Sequence, residues 1–266
     1  MSPFTPRLRK LLAEPRLRDV DVDSADLVEL HRHILQQKPL MRSVFRDFYQ
    51  AVIAADERWF TAPGVRVELG AGSSFLDEFQ PGIIRTDIKR VSGLGAVVDA
   101  QNLPFKRHAV RAYYGIDCFH HFSEPGRFFQ ELIDSLAPGA GCVLIEPYHG
   151  IVAQALFTRL FESERFDMRE RTWNSAGSGP MRGANQALSY IVFERDRAEF
   201  ERRFPELELV YDAPLTNHLR YFLSGGLNFR SLVPAGLGGA VKLVERIASP
   251  LARWTALHHL VVLRRR

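Results

Sequence analysis

The sequence predicts an α/β fold: a mostly parallel sheet with helices on both faces. Three observations carry that prediction. After Pro63-Gly64, short apolar runs alternate with longer stretches of helical period, the pattern of parallel strands joined by crossover helices. The first such run, Val65–Leu69, feeds directly into a tight glycine-rich turn. Of 266 residues, 46% are apolar and 25% charged, enough to bury a full core. That composition excludes a disordered chain, a collagen-like repeat and a disulfide-stapled miniprotein. Cys118 and Cys142, each in an apolar stretch read as strand, are expected to be reduced core thiols of a cytoplasmic protein.

Residues 1–62 are expected to form an N-terminal helical cap. Within them Leu27, Leu30, Ile34, Leu40, Val44, Phe45, Phe48, Val52 and Ile53 recur at helical spacing. Pro39 divides two helices, because it lacks an amide donor and restricts Lys38. Residues 63–266 form the main domain, with strands expected at Val65–Leu69, Ile83–Asp87, Ala96–Val98, Val110–Ile116 and Cys142–Glu146. A helix presenting free N–H groups is expected after the glycine turn, running through Phe79, and another over Pro125–Leu136, closed by Pro138-Gly139. Farther on, Ile151–Phe161 reads as helix, Arg171–Gly183 as a loop and Ala187–Phe193 as extended. Asp196–Phe204 reads as helix, then Leu207–Leu215 and Ala256–Leu263 as strands. Residues 216–254 are Gly-rich and then amphipathic, an insertion expected to act as a lid or an interfacial element.

Charge is uneven. From Arg220 to Arg266 eight Lys and Arg face one acid, Glu245, a net +7 within a chain of net +4. No aromatic-interleaved basic motif accompanies the tail, so no nucleic-acid partner is expected. An anionic membrane surface or an anionic substrate fits the charge. No run approaches the ~18 apolar residues that cross a bilayer. Met1–Arg18 is basic without an apolar core and does not read as a secretory signal. The expected location is cytoplasmic, with peripheral contact at the membrane's inner face.

The informative segment is Glu68-Leu69-Gly70-Ala71-Gly72-Ser73-Ser74-Phe75. Gly70 and Gly72 lack a Cβ, so the backbone can pass close to a ligand. A dinucleotide site would want a third glycine where Phe75 stands. Asp87 ends the second strand 17 residues after Gly70, where its carboxylate can accept hydrogen bonds from ribose hydroxyls. Asp99 follows in Val98-Asp99-Ala100, where a carboxylate and the next N–H can read an adenine edge.

On these residues the chain, from about Val65 to Pro147, resembles the class I S-adenosylmethionine-dependent methyltransferases. Glu68–Gly72 is similar to their first motif, Asp87 to their ribose-binding acid and Asp99-Ala100 to their adenine pair. Ile116-Asp117-Cys118-Phe119-His120-His121 resembles their fourth-strand motif. The resemblance implies a Rossmann-like class I methyltransferase fold with a mostly parallel seven-stranded sheet. It implies S-adenosyl-L-methionine as cofactor, no metal, and cofactor contacts from Glu68, Gly70, Ala71, Gly72, Asp87, Ile88, Asp99, Ala100 and Ile116. Ser74 stands where the family often has glycine, and Val110-Arg111 where it has Phe-Asp. Glu164-x-Phe166-Asp167, Asn185-Gln186-Ala187, Phe193–Asp196 and Ser224-Gly225-Gly226 resemble a bacterial subgroup found with polysaccharide and lipid-linked sugar pathways. That implies a small-molecule or lipid-linked acceptor.

A sulfonium methyl is already activated, so transfer needs alignment and a dry site, and a hydroxyl acceptor benefits from a base. Ligands of open α/β sheets bind at the strands' carboxyl ends, which selects Asp117, His120, His121, Glu146, Tyr148 and His149. His149 and His121 are the candidate bases, the His120-His121 pair having a structural reading beside the catalytic one. Tyr148, Glu164 and Asp167 are candidate acceptor contacts. His258-His259 alternate faces of the last strand and read as structural. Two other functions compete: a catalytically silent cofactor-binding scaffold, and a methyltransferase for nucleic acid or protein. Intact Glu68, Asp87 and Asp99 oppose the first. Asp117-Cys118-Phe119-His120, in place of a base-presenting Asn/Asp-Pro-Pro-Tyr/Phe motif, opposes the second.

Overall fold

Seven strands form one sheet in the computed structural model, which describes residues 10–18, 20–21, 23–159, 164–175 and 183–266. They are β1 (Val65–Leu69), β2 (Ile84–Asp87), β3 (Ala96–Val97), β4 (Val110–Ile116), β5 (Leu136–Pro147), β6 (Leu207–Pro214) and β7 (His258–Arg265). The spatial order is β3-β2-β1-β4-β5-β7-β6. β1 to β5 run parallel, and β7 runs antiparallel to both β5 and β6. This is the class I methyltransferase fold. Because the strand order reverses between β1 and β4, the carboxyl ends of those strands diverge into a crevice, where such sheets hold ligands.

Alternation along the central strands supplies two cores. Tyr113, Cys142, Leu144, Val261 and Leu263 face one side and meet α3 (Pro125–Ser135) through Phe128, Phe129 and Leu132. Tyr114, Val143, Ile145, Leu260 and Val262 face the other, where α2 (Pro39–Trp59) brings Met41, Val44, Phe45, Phe48 and Val52. The preceding α1 (Ala25–Gln37) begins where Ser24 Oγ accepts the Leu27 N–H at 3.2 Å. Pro39 occupies the first turn of α2, as its missing N–H allows. Buried Asp56, near the end of α2, accepts from Arg66 Nε at 2.7 Å, Arg111 Nε at 2.8 Å and Tyr114 Oη at 2.5 Å. The Arg111 that departs from the family pattern thus ties α2 to β4.

Four local expectations are corrected. Glycine turn residues lead into a single 3₁₀ turn, Leu76–Glu78, rather than a helix through Phe79. The N–H groups expected to be free are taken: Phe75 donates to Tyr49 Oη at 3.0 Å and Leu76 to Ser74 Oγ at 3.1 Å. Ala187–Phe193 is helical, as α4 (Ile151–Arg159) is followed by α5 (Leu188–Tyr190), which continues as a π-helical turn over Ile191–Arg195. Its Leu188, Ile191 and Val192 lie at i, i+3 and i+4 and are all buried, so packing overrode β propensity. Pro138-Gly139 lies inside β5, with a register irregularity opposite β4, because α3 already ends at Ser135. Cys118 sits just past β4 rather than within a strand; both cysteines are buried free thiols. The end of the 151–161 helix and the interior of the 171–183 loop fall outside the described residues, as do Met1–Arg9.

After α6 (Arg197–Arg203) and β6, the chain forms α7 (His218–Ser224), α8 (Gly238–Ala248) and α9 (Ala252–Thr255) before entering β7. Lys38, buried between α1 and α2, donates to the carbonyls of Ser224, Gly226 and Phe229 and so fastens the chain beyond α7. Burial pushes its ammonium down to about 8. No described helix is long and apolar enough to cross a membrane.

Candidate active site

At the carboxyl ends of β1, β2 and β4 lies a cavity of about 780 Å³, within the size range of small-molecule sites. Its wall includes Glu68, Gly70, Ala71, Gly72, Asp87, Ile88, Asp99, Ala100 and Ile116, the whole set named from the sequence. His121 and Glu164 also line it. Tyr148, His149 and Asp167 do not.

Backbone geometry shapes the β1 end. Gly70 and Gly72 have φ of +60° and +42°, and a Cβ on Gly70 would stand 2.7 Å from the Cys118 Cβ. Asp87 Oδ2 accepts the Gly72 N–H at 2.9 Å and Oδ1 the Lys89 N–H at 2.8 Å. Each oxygen keeps a further acceptor site. Ile88 presents a half-exposed apolar side chain in the wall. Asp99 Oδ1 accepts the Gln101 N–H at 2.8 Å, holding the turn that carries Ala100.

Glu68 is the anomaly. It is 3% exposed, and its Oε2 has no hydrogen-bond partner among the described residues. Arg85 Nε, 3.5 Å away, is likewise without one. Burial pushes the Glu68 carboxyl up to about 7, against the opposing pull of Ser74 and Arg85. A buried carboxylate oxygen thus stands within ion-pair range of Arg85 without accepting a hydrogen bond from it.

Past β4 the chain turns sharply at Asp117, whose φ of +50° is unusual for a residue with a Cβ. Glu146, fully buried at the end of β5, receives the N–H groups of Cys118, Phe119 and His120 at 3.0, 2.8 and 3.2 Å. Its Oε2 also holds His120 Nδ1 at 2.6 Å, while His120 Nε2 meets Glu164 Oε2 at 3.0 Å. Burial alone would lower His120; the two carboxylates overcome it and hold the imidazole well above its ordinary value. Burial likewise opposes the ionised form of Glu164, and the two histidines hold its carboxyl below the usual range. His120, His121 and Glu164 offer ligand atoms within 4.8 Å of one another, but both His120 nitrogens are already engaged by carboxylates. The His121 ring lies 4.1 Å from that of His120, tilted by 39°, and lines the cavity.

No protein-family model matches the chain, and no curated protein matches it. Solved structures do resemble it. They include the cyclase SpnF at 16% identity, covering 82% of this chain and 81% of that one, with TM-score 0.48. A geranyl diphosphate C-methyltransferase from Streptomyces coelicolor A3(2), bound to Mg2+, geranyl diphosphate and S-adenosyl-L-homocysteine, matches at 15% identity, over 85% and 80%, with TM-score 0.45. A Haloferax volcanii complex between the Trm112 activator and a methyltransferase matches at 12%, over 89% and 97%, with TM-score 0.48. The fold assignment rests on the strand order itself.

His149 lies elsewhere. Its Nδ1 is 3.2 Å from Glu194 Oε1, and its ring packs between Tyr148 and Tyr190. The last strand explains why: its two histidines alternate, His258 reaching Asp117 at 3.3 Å beside the cavity and His259 reaching Asp212 at 2.7 Å on the opposite face. Tyr148 packs on His259, and His149 follows it to that side. His259 Nε2 also meets Ser189 Oγ at 2.8 Å, an arrangement resembling a nucleophile relay, but both side chains are fully buried and no substrate reaches the hydroxyl. Asp167 holds its own loop: its Oδ1 accepts the Arg169 N–H at 2.9 Å, and its backbone pairs with the Asn185 side chain.

Sequence reasoning missed His31, Tyr221 and the cavity role of His258. His31 projects from α1 one turn after Leu27 and Val28, which share the wall, so the inward face of α1 carried the signal. Burial pushes its imidazole down to about 4, and Nε2 lies 3.3 Å from Asn228 Oδ1. Tyr221 sits on α7, far away in sequence.

Proposed function

We propose that the protein transfers a methyl group from S-adenosyl-L-methionine to a hydroxyl of a small or lipid-linked acceptor, such as a sugar, at the inner face of a membrane. The observation that carries this reading is Glu68: a buried carboxylate with one oxygen that accepts no hydrogen bond among the described residues, in a cavity wall where six carboxylates outnumber Arg18, Lys89 and the cationic His120. Such a wall attracts a cation and repels a polyanion, which disfavours a nucleic-acid substrate. S-adenosyl-L-methionine carries an ammonium and a sulfonium, and it would supply an activated methyl. Glu68 would hold the ammonium, Asp87 the ribose hydroxyls, and Asp99 with Ala100 the adenine edge beside Ile88. Gly70 and Gly72 leave the space that backbone approach needs.

The acceptor end would be formed by His31, Tyr221, His258 and Glu164, with His121 as the proton acceptor. His120, held as a cation between Glu146 and Glu164, positions His121 rather than taking a proton itself. Titration calorimetry with S-adenosyl-L-methionine tests the cofactor reading; absence of binding to folded protein ends it. A cofactor-consumption assay over sugars, lipid-linked sugars and aromatic alcohols identifies the acceptor. With a turned-over hydroxyl acceptor, His121→Ala is expected to lower kcat by about 10²–10⁴-fold while leaving cofactor affinity unchanged. An unaltered kcat removes His121 from the chemistry.

A further inference from the structure

α8 is built inside out. Its buried side chain is the acid Glu245, whereas Leu243, Val244 and Ile247 are 58%, 52% and 72% exposed. Leu251 and Trp254 continue the exposed apolar strip toward α9. Glu245 faces inward because Arg220 waits there: the Arg220 N–H and Nε bond its two oxygens at 2.7 and 2.6 Å, and the same guanidinium reaches Asp47. This anchor fixes the helix rotation and forces the apolar side chains outward.

The charges around the strip have one sign. Glu245, the one acid between Arg220 and the last residue, is buried, so every exposed charge on this stretch is positive. Among the described residues neither Arg246 nor Arg253 has a carboxylate partner; Arg253 lies over the Trp254 ring at 3.7 Å. Lys242 stands 3.6 Å from Asp47. A symmetric pairing of two copies through this face would bring like charges together around the axis. An anionic bilayer instead offers a slab for the apolar side chains and headgroup charge for the cations. Trp254 stands at the edge of the strip, where an aromatic ring with a polar handle suits a membrane interface.

We propose that the face formed by Leu243, Val244, Ile247, Leu251 and Trp254, with Arg246 and Arg253, docks the protein on an anionic bilayer surface. Docking would set the cavity close to the lipid. α7 carries Tyr221 into the cavity wall and Arg220 into the α8 anchor, so one short helix joins both sites. This deepens the lipid-linked reading of the acceptor and rests on it for its purpose. The two fail separately, since sedimentation with vesicles reads no methyl transfer and the acceptor assay needs no vesicle.

The test is co-sedimentation of the full chain with phosphatidylcholine vesicles, with and without phosphatidylglycerol. Binding is expected to require phosphatidylglycerol and to weaken as salt screens the cations. Exchanging Lys242, Arg246 and Arg253 together for Gln should weaken it roughly 10- to 100-fold. Ile247→Ser with Leu251→Ser should weaken it comparably without changing the melting temperature, because both side chains are already exposed. Trp254 fluorescence should shift to the blue on vesicles, a shift absent from Trp254→Phe. Protein left in the supernatant at low salt overturns the proposal. So does binding that survives the Ile247/Leu251 variant, which would assign it to the terminal arginines. A dimer seen by light scattering and lost in that variant would assign the face to a second copy.

Discussion

Two regions invert the usual rule of burial, in opposite senses. At the end of β1 the carboxyl of Glu68 is buried with one oxygen that accepts no hydrogen bond among the described residues, only Arg85 standing near it at 3.5 Å; along α8 large apolar side chains stand in water. Each is less stable than the ordinary alternative. The shapes around them differ. Glu68 lies in the wall of a concave cavity that a small cation can enter, whereas the α8 strip is outward-facing and wants a surface. Their neighbours differ as well. Glu245 is buried like Glu68, but Arg220 satisfies both of its oxygens. A buried acid is thus unremarkable when both oxygens are hydrogen-bonded and informative when one is not.

The largest expected effect breaks the paired case. Arg220→Ala leaves Glu245 and Asp47 without their guanidinium and should cost about 3–5 kcal/mol in urea unfolding, the usual result of removing one partner of a buried pair. Limited trypsin digestion should then cut first at Lys242, Arg246 or Arg253. A loss below 1 kcal/mol would mean that the anchor does not hold α8.

Next is Glu68, and the sign runs the other way. The folded carboxyl titrates near 7 against an ordinary 4.5. Below about pH 4.5 both folded and unfolded forms carry the proton and Glu68 costs nothing. As pH rises toward 7 only the unfolded chain ionises, so stability falls, by about 3 kcal/mol in full. Glu68→Gln should therefore stabilise the ligand-free protein by up to about 3 kcal/mol at pH 8 and negligibly at pH 4.5, while weakening cofactor binding. Equal melting temperatures at pH 8 would show that Arg85 offsets the burial of the Glu68 carboxylate.

Asp87→Ala should weaken cofactor affinity by about 1.5–3 kcal/mol, the size of hydrogen bonds to a charged group. Titration calorimetry on the folded variant measures it, and unchanged affinity would take Asp87 out of the site. The smallest effect belongs to α8. Ile247→Ser, at a side chain 72% exposed, should change unfolding free energy by less than about 0.5 kcal/mol. A larger loss would reveal burial in a dimer and erase the contrast with Glu68.

Local chemistry made much of the site legible. Glycines at 70 and 72 and acids at 68, 87 and 99 stand at strand ends, and the strands were readable from apolar periodicity, so these residues meet in one wall. The acceptor side was less legible. His149 follows β5 by two residues and His121 follows β4 by five, yet only His121 faces the cavity, because the side to which a chain turns after a strand depends on what it packs against. The segment 187–193, rich in β-formers, became helix for the same reason.

By itself the sequence determined the strands, the glycine turn and the spacing of the acids, because these follow from backbone sterics and from periodicity over a few residues. It also determined that 220–266 is basic and that its helix is amphipathic. Tertiary structure decided the rest. The ionisation of Glu68 depends on a burial that β2 and α2 create. Bringing His31 and Tyr221, 190 residues apart, to one cavity depends on how α1 and α7 pack. Which face of α8 turns outward depends on Arg220 and Asp47, residues outside the helix, since a sequence pattern fixes that a helix has two faces and only a partner fixes which one is buried.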